Sequence, residues 1–226
     1  MPASPADRLL FALLGAIASS LDVVGLIELG LFTAHITGNL ALLIAHAVGG
    51  GAARLAPMLS VPVFVAALAL TRIFVRGVDA GGRGSLRPGL LLECVLLGGC
   101  VAVAALAAPR VDPNAPAVIV AGMLAVSAMG VQTALVSLRG EPPTTVVTGN
   151  ITRLTLDLVA ILLGRDATEA GAARHRAAQT WPAVAGFAVG CGLGAAGLAT
   201  IGRWSLAVPV TLAVVALAMA WRPRQP

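Results

Sequence analysis

Phe32-Thr33-Ala34-His35-Ile36-Thr37-Gly38-Asn39 joins a long apolar run, about 8–31, to a short one, about 37–50. The word Thr-Gly-Asn returns at Thr148-Gly149-Asn150, after Thr144-Thr145-Val146-Val147, and again opens a short apolar stretch, about 148–163. In both places a long apolar run precedes. In both, a Pro follows near the start of the next one, at Pro62 and at Pro182. A three-residue word repeated once is chance-level. Repeated with the same neighbours on either side, it predicts that the chain is built from two copies of one plan, 1–110 and 111–226, within one integral domain.

Six runs, about 8–31, 57–76, 88–108, 115–138, 180–201 and 204–221, reach the length of about 17–25 residues that spanning a bilayer requires. The two short runs do not. At about 1.5 Å per residue, the run at 37–50 covers only about 21 Å, which suits a re-entrant half-helix. The arginines test this count. With six crossings and the N-terminus inside, eleven Arg fall on the cytoplasmic side and three, Arg54, Arg110 and Arg203, on the other. With eight crossings the same division becomes eight to six. The positive-inside rule favours six. Three crossings per copy is an odd number, so the second copy is inverted, a recurring plan for secondary transporters.

Composition sets the class. Of 226 residues, 58% are hydrophobic, 26 more are Gly, and only 11% are charged, less than half the usual share. That excludes an ordinary soluble enzyme, a disordered chain and a disulfide scaffold. The net charge of +5 comes from 15 basic residues, all Arg. Most sit in short links between apolar runs, as membrane topology requires, so nucleic acid is not the expected partner. Cys94, Cys100 and Cys191 lie inside apolar runs and act as small apolar residues. There is no metal-ligand spacing, P-loop or nucleophile elbow, so no metal, cofactor or enzymatic activity is expected. Ser19, Ser20, Asp22 and His35 lack a triad's arrangement. The first run continues past Asp22 and reads as a retained helix rather than a cleaved signal.

The polar residues inside this apolar chain are the candidates for function. Thr37 and Thr148 are expected at or near helix N-caps. Gly38 and Gly149 allow close approach, and Asn39 and Asn150 supply amide donors and acceptors. Two helix N-termini facing one another suit an anion or another polar solute, and the alternative is that both turns merely cap buried half-helices. Asp22, mid-way along the first run, aligns with Gln132 in the second copy. A carboxyl at membrane depth is expensive and presumed functional, here as a coupling group. The alternative is an Asp that braces the turn. His35 is placed to gate or relay protons, or equally to act as a structural donor. Glu28 is a lesser candidate. Arg153 and Asp157, four apart, share a helix face and read first as a local ion pair. Glu93 is expected to pair with an Arg of the preceding loop. Gly186, Gly190 and Gly194 form a stripe for close helix packing, with a homodimer contact as the lesser alternative. Trp181, Trp204 and Trp221 are expected at helix ends, in an aromatic belt.

The segment Phe32 to Asn39 after an Asp-bearing first helix, together with Met129-Gly130-Val131-Gln132 and Thr148-Gly149-Asn150, resembles the YoaK-type family of bacterial multi-pass membrane proteins, a domain of unknown function. The resemblance spans nearly the whole chain. It implies membrane class and the importance of the paired motifs, and supplies no substrate.

The expectation is therefore an all-α membrane protein with six transmembrane helices, two re-entrant half-helices and inverted three-helix repeats. It lies in the inner membrane with both termini cytoplasmic. Its first functional reading is a permease for a small anion or polar metabolite, bound by Thr37, Gly38, Asn39, Thr148, Gly149, Asn150 and Gln132. Asp22 and His35 couple or gate. The alternative is a non-transporting scaffold or accessory subunit.

Overall fold

The computed structural model describes residues 5–49, 54–78, 86–106, 112, 114–141, 143–164 and 167–221. All regular structure among them is helical: α1 (Pro5–Glu28), α2 (Ile36–Val48), α3 (Leu55–Val78), α4 (Leu86–Leu106), α5 (Pro116–Leu138), α6 (Val147–Leu163), α7 (Ala167–Ile201), a short 3-10 turn (Gly202–Leu206) and α8 (Ala207–Trp221). Five stretches are long and apolar enough to cross a membrane: Pro5–Glu28, Leu55–Gly77, Leu86–Leu106, Pro116–Leu138 and the 54 residues Thr168–Trp221. The chain is a multi-pass helical membrane protein.

The last stretch is not one rod. Gly202 has φ +55°, a conformation that ends a helix, and a Cβ placed on Gly197 would lie 3.0 Å from Val208 Cγ2. In a continuous helix residues 197 and 208 are about 16 Å apart. The chain therefore folds back at Gly202, and α8 returns beside the end of α7.

α1, α4, α5 and α8 surround the core, through Leu14, Ile17, Leu90, Leu97, Met129 and Ala213 among others. Between membrane helices the driving force is close contact, so small residues decide where helices meet. α7 lies along α1 on its glycine stripe. A Cβ on Gly186 would overlap the Ala12 carbonyl, one on Gly190 the Ala16 carbonyl, and one on Gly194 would approach the Ser20 carbonyl at 3.0 Å. Each step of four on α7 is a step of four on α1, so the two helices are parallel. The stripe is thus consumed inside the molecule. α3 meets α5 at Gly130, where a Cβ would lie 2.8 Å from that of Ala67. α2 packs on α3, and α6 on α7.

Contacts at the helix ends order the rest. Arg87 Nε, at the start of α4, donates to Ala220 O at the end of α8 (3.0 Å), and Gly89 meets Leu135 near the end of α5. The starts of α3 and α5 are tied by Leu55 N donating to Asn114 Oδ1 (3.1 Å). Arg54, just before α3, reaches back to Gly30, just after α1, whose Cβ position lies 2.7 Å from Arg54 Nη1.

The short runs expected at 37–50 and 148–163 are α2 and α6. One boundary differs. α7 begins at Ala167, not near 180, so Arg174, His175 and Arg176 are helical rather than in a loop, and Trp181 lies within the helix. The Ala-rich sequence from Ala167 to Gln179 is a strong helix former, and helix length exceeds apolar length there. Trp204 and Trp221 do sit at helix ends, beneath the guanidinium groups of Arg203 (5.3 Å) and Arg87 (5.7 Å). Arg83, Arg110, Arg165, Arg222 and Arg224, counted in the charge division, lie outside the described residues.

Candidate functional site

Each Thr-Gly-Asn motif lies in the first turn of a short helix, reached by a loop from a long one. α1 ends at Glu28 and its chain turns at Gly30 (φ +74°); α5 ends at Leu138 and turns at Gly140 (φ +69°). The helix-to-glycine spacing is the same. The glycine-to-Asn spacing is one residue longer at the second motif. That insertion explains why Asp22 aligns with Gln132 at an offset of 110, while Asn39 aligns with Asn150 at 111.

In the first turn, Asn39 is fully buried and fully engaged. Its Nδ2 donates to Phe32 O (2.6 Å) and Ser60 Oγ (2.8 Å), and its Oδ1 accepts from Phe32 N (2.7 Å). Asp22 holds the loop from the other side. Its Oδ1 accepts from Thr33 N (2.6 Å), Thr33 Oγ1 (3.0 Å) and Ala34 N (2.7 Å), and its Oδ2 receives His35 Nδ1. The N–H groups of Phe32, Thr33 and Ala34 thus end on side chains, while those of Leu29 and Leu31 return to Gly25 O, so the buried backbone is paired. The His35 ring is half-buried between the edges of Phe32 and Phe187, 6.3 and 5.6 Å away by centroid. With Nδ1 committed to Asp22, Nε2 occupies the opposite edge of the ring.

The second turn repeats the plan with fewer bonds. Asn150 Nδ2 donates to Pro143 O (2.6 Å), the counterpart of the Asn39–Phe32 bond. Proline has no N–H, so the reciprocal bond is missing and Asn150 Oδ1 is buried without a partner. Gln132 replaces Asp22. Its Nε2 donates to Thr144 Oγ1 (2.8 Å) and to Leu14 O (3.0 Å), and its Oε1 is also buried and unpartnered. Thr133 and Thr145 share a hydroxyl contact of 3.1 Å.

Over residues 10–219 the chain matches the family described as Protein of unknown function (DUF1275). It belongs to the DUF1275 family. No curated protein and no solved structure matches it.

In this DUF1275 chain the motif residues take one pattern twice. Thr37 and Thr148 are exposed on the protein surface, Gly38 and Gly149 are half-covered, and Asn39 and Asn150 are buried. The N-cap positions are His35 and Val146, neither with a side-chain cap bond, so both Thr lie inside the first turn rather than at its cap. Asn39, expected to offer its amide to a solute, spends all three of its bonds inside the protein. What the turns present outward is hydroxyl, glycine backbone and, at the first turn, imidazole.

The remaining candidates disperse. Arg153 and Asp157 do not pair. Asp157 is bound by Arg176 through Nε (2.9 Å) and Nη2 (2.6 Å), because α7 continues alongside α6 and presents a guanidinium fork that the i,i+4 neighbour does not match. This pair, with Arg153, Glu141, Gln179 and Thr180, lines an open groove of about 540 Å³ between α6 and α7. Burial raises the Glu141 carboxyl above its ordinary range, Arg139 pulls it down and Asp7 pushes it up. Glu28 is buried near the end of α1. His46 only bonds Leu42 O on its own helix (2.7 Å). The Ser19 and Ser20 hydroxyls donate to carbonyls of α1. Among the described residues Glu93 has no hydrogen-bond partner, Arg or otherwise.

Sequence reasoning missed Thr33, Thr144, Ser60 and Phe187. The first two stand six residues before Asn39 and Asn150, so comparing the two motifs held the signal. Ser60 and Phe187 come from α3 and α7, and only the tertiary fold brings them in.

Proposed function

We propose that this chain is a permease for a small anionic or polar solute, with six crossings and two re-entrant half-helices, α2 and α6, arranged as inverted repeats. The observation that carries the reading is that both half-helices start at one level of α7. The first turn touches it at Phe187 through His35. α6 runs antiparallel to α7 through Asp157–Arg176 and Gly164–Ala170, so ten residues back from Asp157 brings Val147 level with Gly186. Two outward-facing Thr-Gly surfaces then approach one region from opposite ends, with two helix N-termini directed at it, a setting suited to negative or polar groups.

Other observations support the topology. Gly30 and Arg54 meet, so the segment between them leaves and returns at one end of the bundle. The fold-back at Gly202 divides the fifth apolar stretch into two passes. Exchanging the halves, α1 for α5, α2 for α6, α3 for α7 and α4 for α8, converts the α1–α7 packing into α5–α3, α2–α3 into α6–α7, and α4–α5 into α8–α1. The Arg distribution then gives an inner-membrane protein with cytoplasmic termini. The scaffold reading loses its surface, since the glycine stripe is covered by α1.

The test is flux in proteoliposomes across a panel of inorganic anions and polar metabolites. Thr37→Val and Thr148→Val together should abolish most of the flux while leaving thermal unfolding unchanged, since neither side chain is buried. Unaltered flux in the double variant, or none for the parent across the panel, removes the reading. Reporter tags at Gly82 and Ala170 should both read cytoplasmic.

A further inference from the structure

Glu93 is the most anomalous side chain among the described residues. It lies on α4 with no exposure, and both carboxyl oxygens lack a hydrogen-bond partner. An isolated ionised carboxylate at that depth is among the most expensive groups a fold can bury. Gln132 Oε1 is likewise buried and unpartnered. The two belong to one layer. Gly89 meets Leu135 and Gly99 approaches Leu124 (3.5 Å), so α4 and α5 are antiparallel with residue 93 level with about residue 131. Leu90, one turn from Glu93, shares with Gln132 the wall of a cavity of about 10 Å³, which Leu14, Leu135 and Arg139 help to line. That is room for about one water.

All three orphaned atoms, two on Glu93 and one on Gln132, are oxygens able to accept. Acceptors alone cannot satisfy each other, and one proton changes that. We propose that Glu93 is a proton-binding site whose protonated carboxyl donates to Gln132 Oε1. Because Gln132 Nε2 holds Thr144, the proton ties α4 to the second Thr-Gly-Asn turn. Loss of the proton leaves a charge that must be expelled or hydrated, and the tie is released. The water-sized cavity reaches Gln132, the partner of the proposed bond, and has Arg139 at the end of α5 in its wall.

Few other charges bear on this layer. α8 has no titratable residue between Ala207 and Trp221. On α5 Arg139 is about two turns away; on α1 Arg8 lies under two turns from Leu14 on one side, its Nε buried and without a hydrogen-bond partner, and Asp22 about two turns on the other, turned to its own loop. Arg203 of the 3-10 turn lies at the far end, over Trp204. On α4 itself are Arg87, Cys94 and Cys100. The proposal goes beyond the permease reading and stands without it; if transport holds, it supplies the coupling proton.

The test is infrared difference spectroscopy on the full chain in lipid nanodiscs. A protonated-carboxyl stretch should be present at neutral pH, bleach reversibly at alkaline pH, and vanish in Glu93→Gln. Gln132→Met should move the band to the higher frequency of a carboxyl that has lost its acceptor. If that variant does not fold, Thr144→Val, which frees the Gln132 amide without touching α4, should move it also. A band that survives Glu93→Gln, or one indifferent to both second-turn variants, overturns the proposal. These readouts require no flux, so an inactive protein that shows them refutes the permease and keeps the proton site.

Discussion

The two turns share a motif, a helix-to-glycine spacing and the Asn bond to the residue seven before it, yet they are held differently. The first is closed. Asp22 collects two backbone N–H groups, a hydroxyl and an imidazole, while Asn39 bonds Phe32 in both directions and Ser60 besides. The second is under-bonded. A neutral Gln replaces the carboxylate, Pro143 removes the reciprocal N–H, and two acceptors are left over. Buried polar groups without partners cost about 1–3 kcal/mol each, so they persist where something other than stability is selected. The first turn is a fixed wall, and the second is the half with freedom to change partners.

This contrast is broken first at Asp22. Asp22→Ala strands the N–H groups of Thr33 and Ala34, the Thr33 hydroxyl and His35 Nδ1, so the expected loss is about 3–5 kcal/mol. Gln132→Ala at the aligned position removes two neutral bonds and should cost about 2 kcal/mol. Denaturant titration of the two variants in the same detergent measures the difference; equal losses would falsify the division into a closed and an open turn.

The next test is the motif itself. Asn39→Ala strands both polar atoms of Phe32 and takes away the donor to the Ser60 hydroxyl oxygen, for about 3 kcal/mol. Asn150→Ala removes one bond and, with it, one orphaned acceptor, so about 1 kcal/mol or less is expected. The same substitution in the same three-residue word should thus differ by about 2 kcal/mol in thermal or denaturant stability. A reversed order would mean that Asn150 carries bonds the Asn39 pattern does not suggest.

A smaller effect belongs to the second turn's loop. Burial favours the neutral form of Glu141, so its native carboxyl titrates above its unfolded value. Folding then gains least from this group above the native titration. The penalty is absent in acid, below the unfolded value, and grows as pH rises through the window between the two. Glu141→Gln should therefore unfold like the parent at low pH and be slightly more stable at neutral pH. Melting curves at both pH values check the sign.

The pattern of what sequence disclosed follows from the same physics. Class and helix positions were legible because bilayer length and apolar composition leave few alternatives. The short helices at α2 and α6 were legible from run length, and the paired turns from repetition. The start of α7 was not, because Ala167 to Gln179 is helical by propensity without being apolar. The Asp157–Arg176 pair was hidden because α6 neighbours α7 in space while Arg153 is the neighbour in sequence. Glu93 read as a loop-paired carboxyl because its register on α4, which turns it from the Arg residues into the four-helix core, is set by where Gly89 and Gly99 let α5 approach.

Pro143 sharpens the comparison at the level of one atom. The two turns differ there by a single N–H: Phe32 donates to Asn39 Oδ1, and Pro143 cannot donate to Asn150 Oδ1. Pro143→Ala supplies the missing donor, worth about 1 kcal/mol, against about 0.4–1 kcal/mol lost by loosening the unfolded chain. The net change is near zero and tells nothing by itself. The cycle with Asn150→Ala separates the terms, because the unfolded-chain effect is common to both backgrounds and cancels. If the new N–H meets Asn150 Oδ1, the coupling is favourable by about 1 kcal/mol, and Pro143→Ala becomes plainly destabilising once Asn150 is gone. A coupling near zero would mean that Asn150 Oδ1 already has another use, and the second turn would then be no looser than the first.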